Sequence, residues 1–246
     1  PFARSIKIVQ NQNLITKLFQ KYIAEKDIRN FKGNFFYYIY YRLSRLCFNQ
    51  PIKIKIKNIN LYSNHSKNKT SYSLLQKCNF FDVSEINVIK KLNSNHKLFL
   101  IDCGCNFGFY SFYTASLSEE NKIISIEASK KTLEEFNENL KINNFNNIKV
   151  INKAVLDIDN QEIEFNESDK DWESSLLDPK FNILQKNLVN SITIDSLVKN
   201  ISLNQRLLIL KIDVEGADLN VLDGAKNTIK EKKPFIIIEF SKYIFK

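Results

Sequence analysis

A glycine-containing bend and an acidic residue downstream of it are the parts of this sequence best suited to binding a ligand. Residues 102–108 read Asp-x-Gly-x-Asn-x-Gly and contain two of the five glycines of the chain, Gly104 and Gly108. Glycine lets the backbone turn sharply and lets a ligand approach without a Cβ in the way. Glu127 follows 19 residues after Gly108, and an acid at such a position can accept hydrogen bonds from both hydroxyls of a ribose. Together these residues predict a nucleoside site.

The chemistry around the bend selects among nucleoside ligands. Asp102 stands just before the bend, where it would repel a diphosphate and attract an ammonium group. The bend also lacks the Gly-x-Gly-x-x-Gly pattern typical of pyrophosphate sites, which disfavours an NAD-linked oxidoreductase. The N–H groups at the start of the next helix are expected to be exposed and to receive a carboxylate or phosphate. A ligand with a ribose at one end and an amino acid at the other fits, so we expect S-adenosylmethionine as the cofactor.

Short apolar runs alternate with amphipathic segments from residue 97 onward. The apolar runs, typical of buried parallel strands, are residues 98–101, 123–126, 148–151, 207–212 and 235–238. Three helices are predicted: one at residues 108–117, one that begins after Ser129 as its N-cap, and one at residues 219–229. This order predicts an α/β fold, with a mostly parallel sheet and helices on both faces. Ligands of such sheets bind at the carboxyl ends of the strands, where the bend and Glu127 lie.

Two further segments are predicted outside this alternation. Residues 157–200 interrupt it, and we expect added strands at 162–165 and 191–194 around a polar loop. A helix before residue 97 is expected to begin after Ser84 as its N-cap and to bury three apolar side chains. These side chains are Ile86, Ile89 and Leu92.

The first 74 residues are predicted to form an extension, followed by a ligand-binding domain over residues 75–246. Helices are predicted at residues 10–30 and 33–48, and the strictly alternating segment at 52–57 predicts a β-hairpin with residues 58–62. Because the chain begins with Pro1 and contains no methionine, we expect the natural N-terminus to be missing.

Positive charge is concentrated in this extension. Residues 1–60 hold 12 Lys/Arg against two acidic residues, whereas residues 61–246 hold 24 against 25. Together with the aromatic stretch at residues 35–41, this charge predicts contact with an anionic membrane surface or a glycan. The alternative is a helix whose aromatic face packs on the main domain while its lysines face water. We expect a cytoplasmic protein. If the basic extension contacts an anionic membrane, the protein is expected to be peripheral at the inner face of that membrane.

Composition argues against several classes of site. Four irregularly spaced cysteines and two histidines are too few for a disulfide scaffold or a His-rich metal centre. Cys103 and Cys105 are therefore interpreted as small packing residues, and no metal is expected. The sequence contains no run of 18 apolar residues that would span a bilayer as a helix. Enzymes that methylate the amino groups of nucleic-acid bases typically hold the amine with an Asn/Asp-Pro-Pro-aromatic element. The four prolines of this chain are never adjacent, so a nucleic acid is a disfavoured partner.

Three segments resemble the S-adenosylmethionine-dependent methyltransferases of the FkbM family. They are residues 101–108, residues 152–155, and residues 210–218 with 221–225. The third segment is the most specific, because Lys-Ile-Asp-Val-Glu-Gly-Ala-Asp resembles the family's Lys-Ile-Asp-Val-Glu-Gly-Ala-Glu block. The resemblance covers about residues 75–240 and implies a Rossmann-like methyltransferase fold. Ala128 stands where the family usually has proline and Cys105 where it has a small residue, and neither change removes a polar ligand group.

The same resemblance implies methylation of a hydroxyl group, often on a sugar of a glycan or of a glycosylated metabolite. Asp213 and Glu215 are the candidates for accepting the hydroxyl proton, with Glu239 as a third. Asp213 could instead cap the next helix or contact the amine of the cofactor, and Glu215 could anchor the turn at Gly216. Lys211 is expected to pair with a neighbouring acid.

The cofactor is expected to place its adenine near residues 154–155, with Ser174 or Ser175 closing over it. The predicted cofactor-binding residues are therefore Asp102, Gly104, Asn106, Phe107, Gly108, Glu127, Ala128, Ala154 and Val155. Methyltransferases of this fold normally continue past the fifth strand, so we expect either that the chain is truncated after Lys246 or that the fifth strand is a sheet edge that needs cover. Two other functions stay open: a non-catalytic module that binds S-adenosylmethionine or another nucleoside, and a nucleic-acid methyltransferase that uses the basic extension.

Overall fold

The computed structural model describes residues 6–8, 52–56, 59–63, 83–168 and 183–239. The strands are β1 (Ile6–Ile8), β2 (Ile52–Ile56), β3 (Ile59–Ser63), β4 (Leu98–Cys103), β5 (Lys122–Glu127), β6 (Ile148–Asn152), β7 (Ala154–Val155), β8 (Glu162–Ser168), β9 (Ile183–Ile192), β10 (Leu207–Ile212) and β11 (Phe235–Ile238). The helices are α1 (Val83–Asn93), α2 (Phe109–Leu117), α3 (Lys130–Asn143), α4 (Ile194–Lys199), α5 (Asp218–Asp223) and α6 (Lys226–Lys232). The helices predicted at residues 10–30 and 33–48 lie outside the described residues, as do Ser174 and Ser175.

The five apolar runs form one parallel sheet, in the order β11-β10-β4-β5-β6. All six residues of β4 are buried, as expected for a central strand covered on both faces. β4 lies between β5, which follows it in the chain, and β10, which comes much later. The direction of strand addition therefore reverses at β4, and in open sheets of this kind ligands bind beside that point, at the carboxyl ends of the strands. The predicted α/β, Rossmann-like fold is confirmed.

Helices cover both faces of this sheet because successive strand residues point to opposite sides. Leu98 and Leu100 of β4 belong to a core cluster with residues of α1, α2 and α3, such as Ile89 and Phe136. The alternate residues of β4, including Ile101, belong to a second cluster with residues of α4, α5 and α6. Each face thus has its own apolar core, as the sequence predicted.

A small antiparallel sheet in the order β1-β2-β3 packs against α3. β2 and β3 form the predicted hairpin, and β1 was not foreseen. The edge of β3 that faces α3 is paired by asparagine side chains instead of a strand. Asn143 accepts from the Asn60 N–H at 2.7 Å and donates to the Asn60 carbonyl at 2.6 Å. Asn139 accepts from the Tyr62 N–H at 2.5 Å.

The helix predicted at residues 219–229 is two helices. α5 ends at Asp223 and α6 begins at Lys226. At the break, a Cβ on Gly224 would lie 2.2 Å from the Leu156 carbonyl oxygen, so the chain there is pressed against the loop after β7. Asp195 then accepts from the N–H groups of Asn227 and Thr228 and caps α6. The break depends on these tertiary contacts, which the periodicity of the helix does not reveal.

Three local predictions can be compared with the structure. The strand predicted at residues 191–194 holds only for its first two residues, because β9 ends at Ile192 and Thr193 caps α4 by accepting from the Ser196 N–H at 3.1 Å. The N-cap at Ser84 is wrong, since this residue lies inside α1. Ser129 does cap α3, accepting from the Thr132 N–H. Among the described residues, none of the helices is long and apolar enough to cross a membrane.

Candidate functional site

The bend after β4 is shaped by three residues in the left-handed region. Their φ angles are +73° at Gly104, +49° at Asn106 and +95° at Gly108. A Cβ on Gly104 would lie 1.9 Å from the carbonyl oxygen of Asp213, and one on Gly108 would lie 2.4 Å from the Phe112 ring. Both positions therefore require glycine for their backbone angle and for their close packing.

The N–H groups of the bend are already bonded within the protein. All five, from residue 104 to residue 108, donate to protein oxygens at 2.8–3.0 Å. The acceptors in chain order are the carbonyl of Ile126 twice, the carboxylate of Glu127, the side-chain oxygen of Asn106 and the carbonyl of Cys105. The N–H groups predicted to receive a carboxylate or phosphate are those at the start of the next helix, and of residues 104–108 only Gly108 belongs to that predicted start. Its N–H donates to the Cys105 carbonyl, so it is not available to a ligand.

Glu127 closes the bend from the end of β5. Its Oε2 accepts from the Asn106 N–H at 2.9 Å, and its Oε1 accepts from the Ser129 N–H at 2.9 Å. Burial raises the pKa of Glu127, and the N–H donors of Ser129, Asn106 and Ala128 oppose that rise. Each carboxylate oxygen carries a second lone pair, and the side chain is half-buried. Glu127 can therefore accept additional donors, such as hydroxyls, from a ligand at the edge of the sheet.

Asp102 lies beneath the bend. It is fully buried, and its Oδ2 accepts from the Ser111 hydroxyl at 2.6 Å. Burial raises the pKa of Asp102, while the Lys211 ammonium and the hydroxyl and N–H of Ser111 oppose that rise. Gly108, the N-cap of α2, has no side chain to cap the helix, so the carboxylate of Asp102 takes that role. The predicted direct contact between Asp102 and a ligand ammonium is corrected, because Asp102 is completely buried.

Several other predicted cofactor-binding residues have buried side chains. Phe107 is 4% exposed and belongs to the core, and Ala154 and Val155 are each 3% exposed. Ala128 is half-buried and packs against the cluster that contains Ala154. These four residues lie near the carboxyl ends of β4, β5 and β6, and three of them are almost wholly buried.

Lys211 joins two of the predicted acids in a buried group. Its Nζ donates to Asp213 Oδ2 at 2.8 Å and lies 3.9 Å from Asp102 Oδ1. It also lies 4.8 Å from the centre of the Tyr110 ring. Burial alone would lower the pKa of Lys211, but the charges of Asp213 and Asp102 outweigh it and raise that pKa. The lysine is therefore charged, and Asp213, whose side chain is 31% exposed, links it to the edge of the sheet.

Glu215 lies on the turn between β10 and α5, with φ of +52°. Asp218 holds this turn by accepting from the N–H groups of Val214 and Gly216, each at 3.2 Å. The anchoring role considered for Glu215 therefore belongs to Asp218, and the side chain of Glu215 is exposed. Partial desolvation by the surrounding protein raises the pKa of Glu215. The neighbouring carboxylates, of which Asp213 has the largest effect, raise this pKa further, to about 8.

Three residues of the site were not foreseen. Ser111 and Tyr110 contact the buried charges from α2, and Asp218 holds the turn of Glu215. Asp218 had a signal in the sequence, because an acid in the first turn of a helix is typical of its N-terminus. Ser111 and Tyr110 had none, since their roles depend on how α2 packs over β4 and β10.

The two cysteines of the bend fit a packing role. Cys103 and Cys105 are both buried, and burial raises the pKa of each thiol, which leaves them poorly reactive. Within the described residues, no group of three or more His, Cys, Asp or Glu side chains is arranged to hold a metal ion.

Solved structures of methyltransferases align with parts of this chain. An S-adenosylmethionine-dependent methyltransferase from Agrobacterium tumefaciens is 13% identical, with a TM-score of 0.33, over 43% of this chain and 33% of that protein. An rRNA methylase from Streptococcus thermophilus is 12% identical, with a TM-score of 0.34, over 58% of this chain and 61% of that protein. A methyltransferase from Aquifex aeolicus is 12% identical, with a TM-score of 0.35, over 69% and 75%. This chain thus spans about a third of the first of these proteins. No curated protein sequence matches it.

The model of one protein family matches the chain directly. The model is described as the methyltransferase FkbM domain, and it matches residues 102–246, more than half of the chain. The match begins at Asp102 and includes the bend, Glu127 and the turn that carries Asp213 and Glu215. It confirms the family predicted from the sequence and S-adenosylmethionine as its cofactor. The chain belongs to the FkbM family of methyltransferases.

Proposed function

We propose that this protein transfers a methyl group from S-adenosylmethionine to a hydroxyl group, and that the acceptor is a sugar of a glycan or of a glycosylated metabolite. The observation that carries the proposal is the position of Asp213. Its carboxylate is partly exposed at the end of β10, and its backbone packs directly against Gly104 of the bend. A carboxylate there stands beside the expected methyl donor. The choice of a sugar rests on the family resemblance.

The polar groups of the site suit S-adenosylmethionine better than a dinucleotide. The N–H groups of residues 104–108 are all used by the protein, so a diphosphate would find no donors there. Carboxylates, in contrast, are available: Glu127 for the hydroxyls of a ribose, and Asp213 and Glu239 at the ends of β10 and β11 for positive charge. A cofactor that carries a ribose, an ammonium and a sulfonium matches this set of acceptors.

The cofactor, when bound, supplies an electrophilic methyl group. Asp213 accepts the proton of the acceptor hydroxyl while the oxygen of that hydroxyl attacks the methyl group, which is general-base catalysis. Lys211 holds the Asp213 carboxylate at 2.8 Å, so the base is oriented before the acceptor arrives. Glu215, with its pKa of about 8, is largely protonated at neutral pH and can donate a hydrogen bond to a sugar oxygen. This division assigns the base to Asp213 and acceptor orientation to Glu215.

The cofactor assignment is tested by calorimetric titration of the protein with S-adenosylhomocysteine and with NAD. We expect the first to bind and the second not to bind, because the bend offers ribose acceptors without phosphate donors. Binding of NAD without a response to S-adenosylhomocysteine would remove the proposal.

The activity is tested by a methyl-transfer screen with labelled donor over cell-envelope glycans, lipid-linked sugars and, as rival acceptors, RNA and DNA. With the acceptor found, Asp213→Asn should keep the affinity for S-adenosylhomocysteine and lower turnover by about 100-fold or more. The matched control is Asp223→Asn, an exposed acid at the end of α5. Unchanged turnover in Asp213→Asn would eliminate Asp213 as the base, and binding without transfer to any acceptor would favour a non-catalytic module.

A further inference from the structure

Lys211 is a buried lysine with two carboxylates within reach. It is paired in register with Asp102 on the neighbouring strand, so both side chains leave the sheet on the face covered by α2. The side chain of Lys211 is 7% exposed, and that of Asp102 is fully buried. A buried ammonium must be compensated by a nearby negative charge, and here Asp102 and Asp213 both qualify.

The two carboxylates hold the ammonium unequally. Asp213 Oδ2 accepts a hydrogen bond at 2.8 Å, whereas Asp102 Oδ1 lies at 3.9 Å, which is too long for one. Among the described residues, Asp102 Oδ1 has no hydrogen-bond donor, although it is fully buried. An unsatisfied buried carboxylate oxygen is costly. A shift of the Lys211 ammonium by about 1 Å would bring it within hydrogen-bonding distance.

We propose that Lys211 is a positioning residue that moves between these carboxylates: it holds Asp213 while Asp213 is charged and passes to Asp102 when Asp213 is neutralised. This inference rests on the proposed function, in which Asp213 becomes neutral during the reaction. There the acceptor oxygen forms a bond to the methyl carbon, the bond from methyl to sulfur breaks, and its electron pair stays on the sulfur. The acceptor proton goes to Asp213, so the sulfonium and the carboxylate lose their charges together.

The second carboxylate keeps Lys211 paired with a negative charge when Asp213 receives the acceptor proton. If Lys211 had Asp213 as its only partner, protonating that acid would leave a buried ammonium without a counter-charge. Asp102 supplies the counter-charge already in place beneath the bend. The other groups that act on Lys211 or its two partners are Cys103, Cys105, Tyr110, Ser111, Glu127 and Glu215. Of these, Ser111 fixes Asp102 Oδ2, which leaves Oδ1 for the lysine.

The first test uses Asp213→Asn, a neutral side chain of the same shape. In its crystal structure we expect Lys211 Nζ within about 3.2 Å of Asp102 Oδ1. A lysine that stays near its present distance from Asp102, or that turns to solvent, would overturn the inference. The wild type and Asp213→Asn are both titrated with S-adenosylhomocysteine. Absence of binding in both proteins would contradict the proposed function. A lysine that stays in place in a variant that still binds would contradict only this inference.

The second test measures stability in solution and does not depend on the crystal. Asp213→Asn, Asp102→Asn and the double variant are melted under identical conditions. Because either carboxylate can hold the ammonium, the Tm loss of the double variant should exceed the sum of the single losses by more than about 4 °C. Additive losses would mean that the two acids do not share the lysine. The signal of 13C at Cε of Lys211 supplies a readout that a packing role would not move: it should change in Asp213→Asn and not in the Asp223→Asn control.

Discussion

Gly104 lies against Asp213 so closely that a Cβ added to it would sit 1.9 Å from the Asp213 carbonyl oxygen. The bend after β4 and the acid-bearing end of β10 are thus packed backbone to backbone. The Asp213 N–H also donates to the Cys103 carbonyl at 3.1 Å, which extends the pairing of the two strands to the edge of the bend. The expected cofactor-binding bend and the proposed base therefore form one rigid unit.

Gly104→Ala should break this unit. The new Cβ must displace the Asp213 carbonyl, and φ of +73° is strained for alanine, so we expect a loss of about 2–4 kcal/mol in the free energy of unfolding. Binding of S-adenosylhomocysteine should be lost with it. The control is Asn204→Ala, at an exposed residue with φ of +46°, which carries the backbone strain and the loss of one exposed hydrogen bond from Ser202, and should lose about 1 kcal/mol. Equal losses for the two variants, measured by urea denaturation, would mean that the close approach is unimportant.

Glu127→Gln should weaken cofactor binding while the fold is kept. The carboxylate accepts from the N–H groups of Asn106 and Ser129, and an amide can present an oxygen to only one of them. It also replaces a charged acceptor for the ribose by a neutral one, so we expect affinity for S-adenosylhomocysteine to fall by about 10- to 100-fold. Glu119→Gln, an exposed residue after α2, should bind as the wild type does. An unchanged Kd in Glu127→Gln, measured by calorimetry, would contradict the predicted ribose contact.

The sequence predicts the parallel strands well, because buried central strands are continuous apolar runs that few other elements imitate. The direction of Asp102 also follows from the sequence, since period-two alternation places it on the same face of β4 as Leu98 and Leu100. The prediction that Asp102 contacts a ligand relies only on its closeness in sequence to the bend. The alternation of side chains along β4 instead places Asp102 beneath α2. The interruption at Gly224 was not accessible, because a contact with Leu156, distant in sequence, decides it.

Glu215 should make the stability of the protein depend on pH. Partial desolvation and the charges of Asp213, Glu239 and Asp218 raise its pKa from 4.5 to about 8 in the folded protein. Between these values the folded protein keeps a proton that the unfolded chain has released, so the stability contributed by the neutral acid is lost as pH rises through this window. Glu215→Gln cannot lose the proton. The wild type should therefore become less stable than this variant as pH rises.

The measurement is urea denaturation of wild type and Glu215→Gln at intervals from pH 4.5 to pH 9. The difference between the two proteins removes the contribution of other acids, including Asp102. Glu162→Gln, an exposed acid of β8, serves as the control and should show no change in the difference across this range. A difference that is flat for Glu215→Gln, or that favours the wild type at high pH, would mean that Glu215 titrates as an ordinary surface acid.

Asn143→Asp should release β3 from α3. The Asn143 amide nitrogen donates to the Asn60 carbonyl at 2.6 Å and to the Asn139 carbonyl at 2.7 Å. An aspartate would place a charged oxygen against these two carbonyl oxygens, so we expect a loss of about 1–3 kcal/mol in the free energy of unfolding. Hydrogen exchange at residues 59–63 should accelerate, while β4 and β10 stay protected. Asn137→Asp adds the same charge on the exposed face of the same helix and should leave exchange at 59–63 unchanged. If both variants exchange alike, the asparagine pairing does not hold the small sheet, and the burial of Ile59 and Leu61 is what attaches it to the domain.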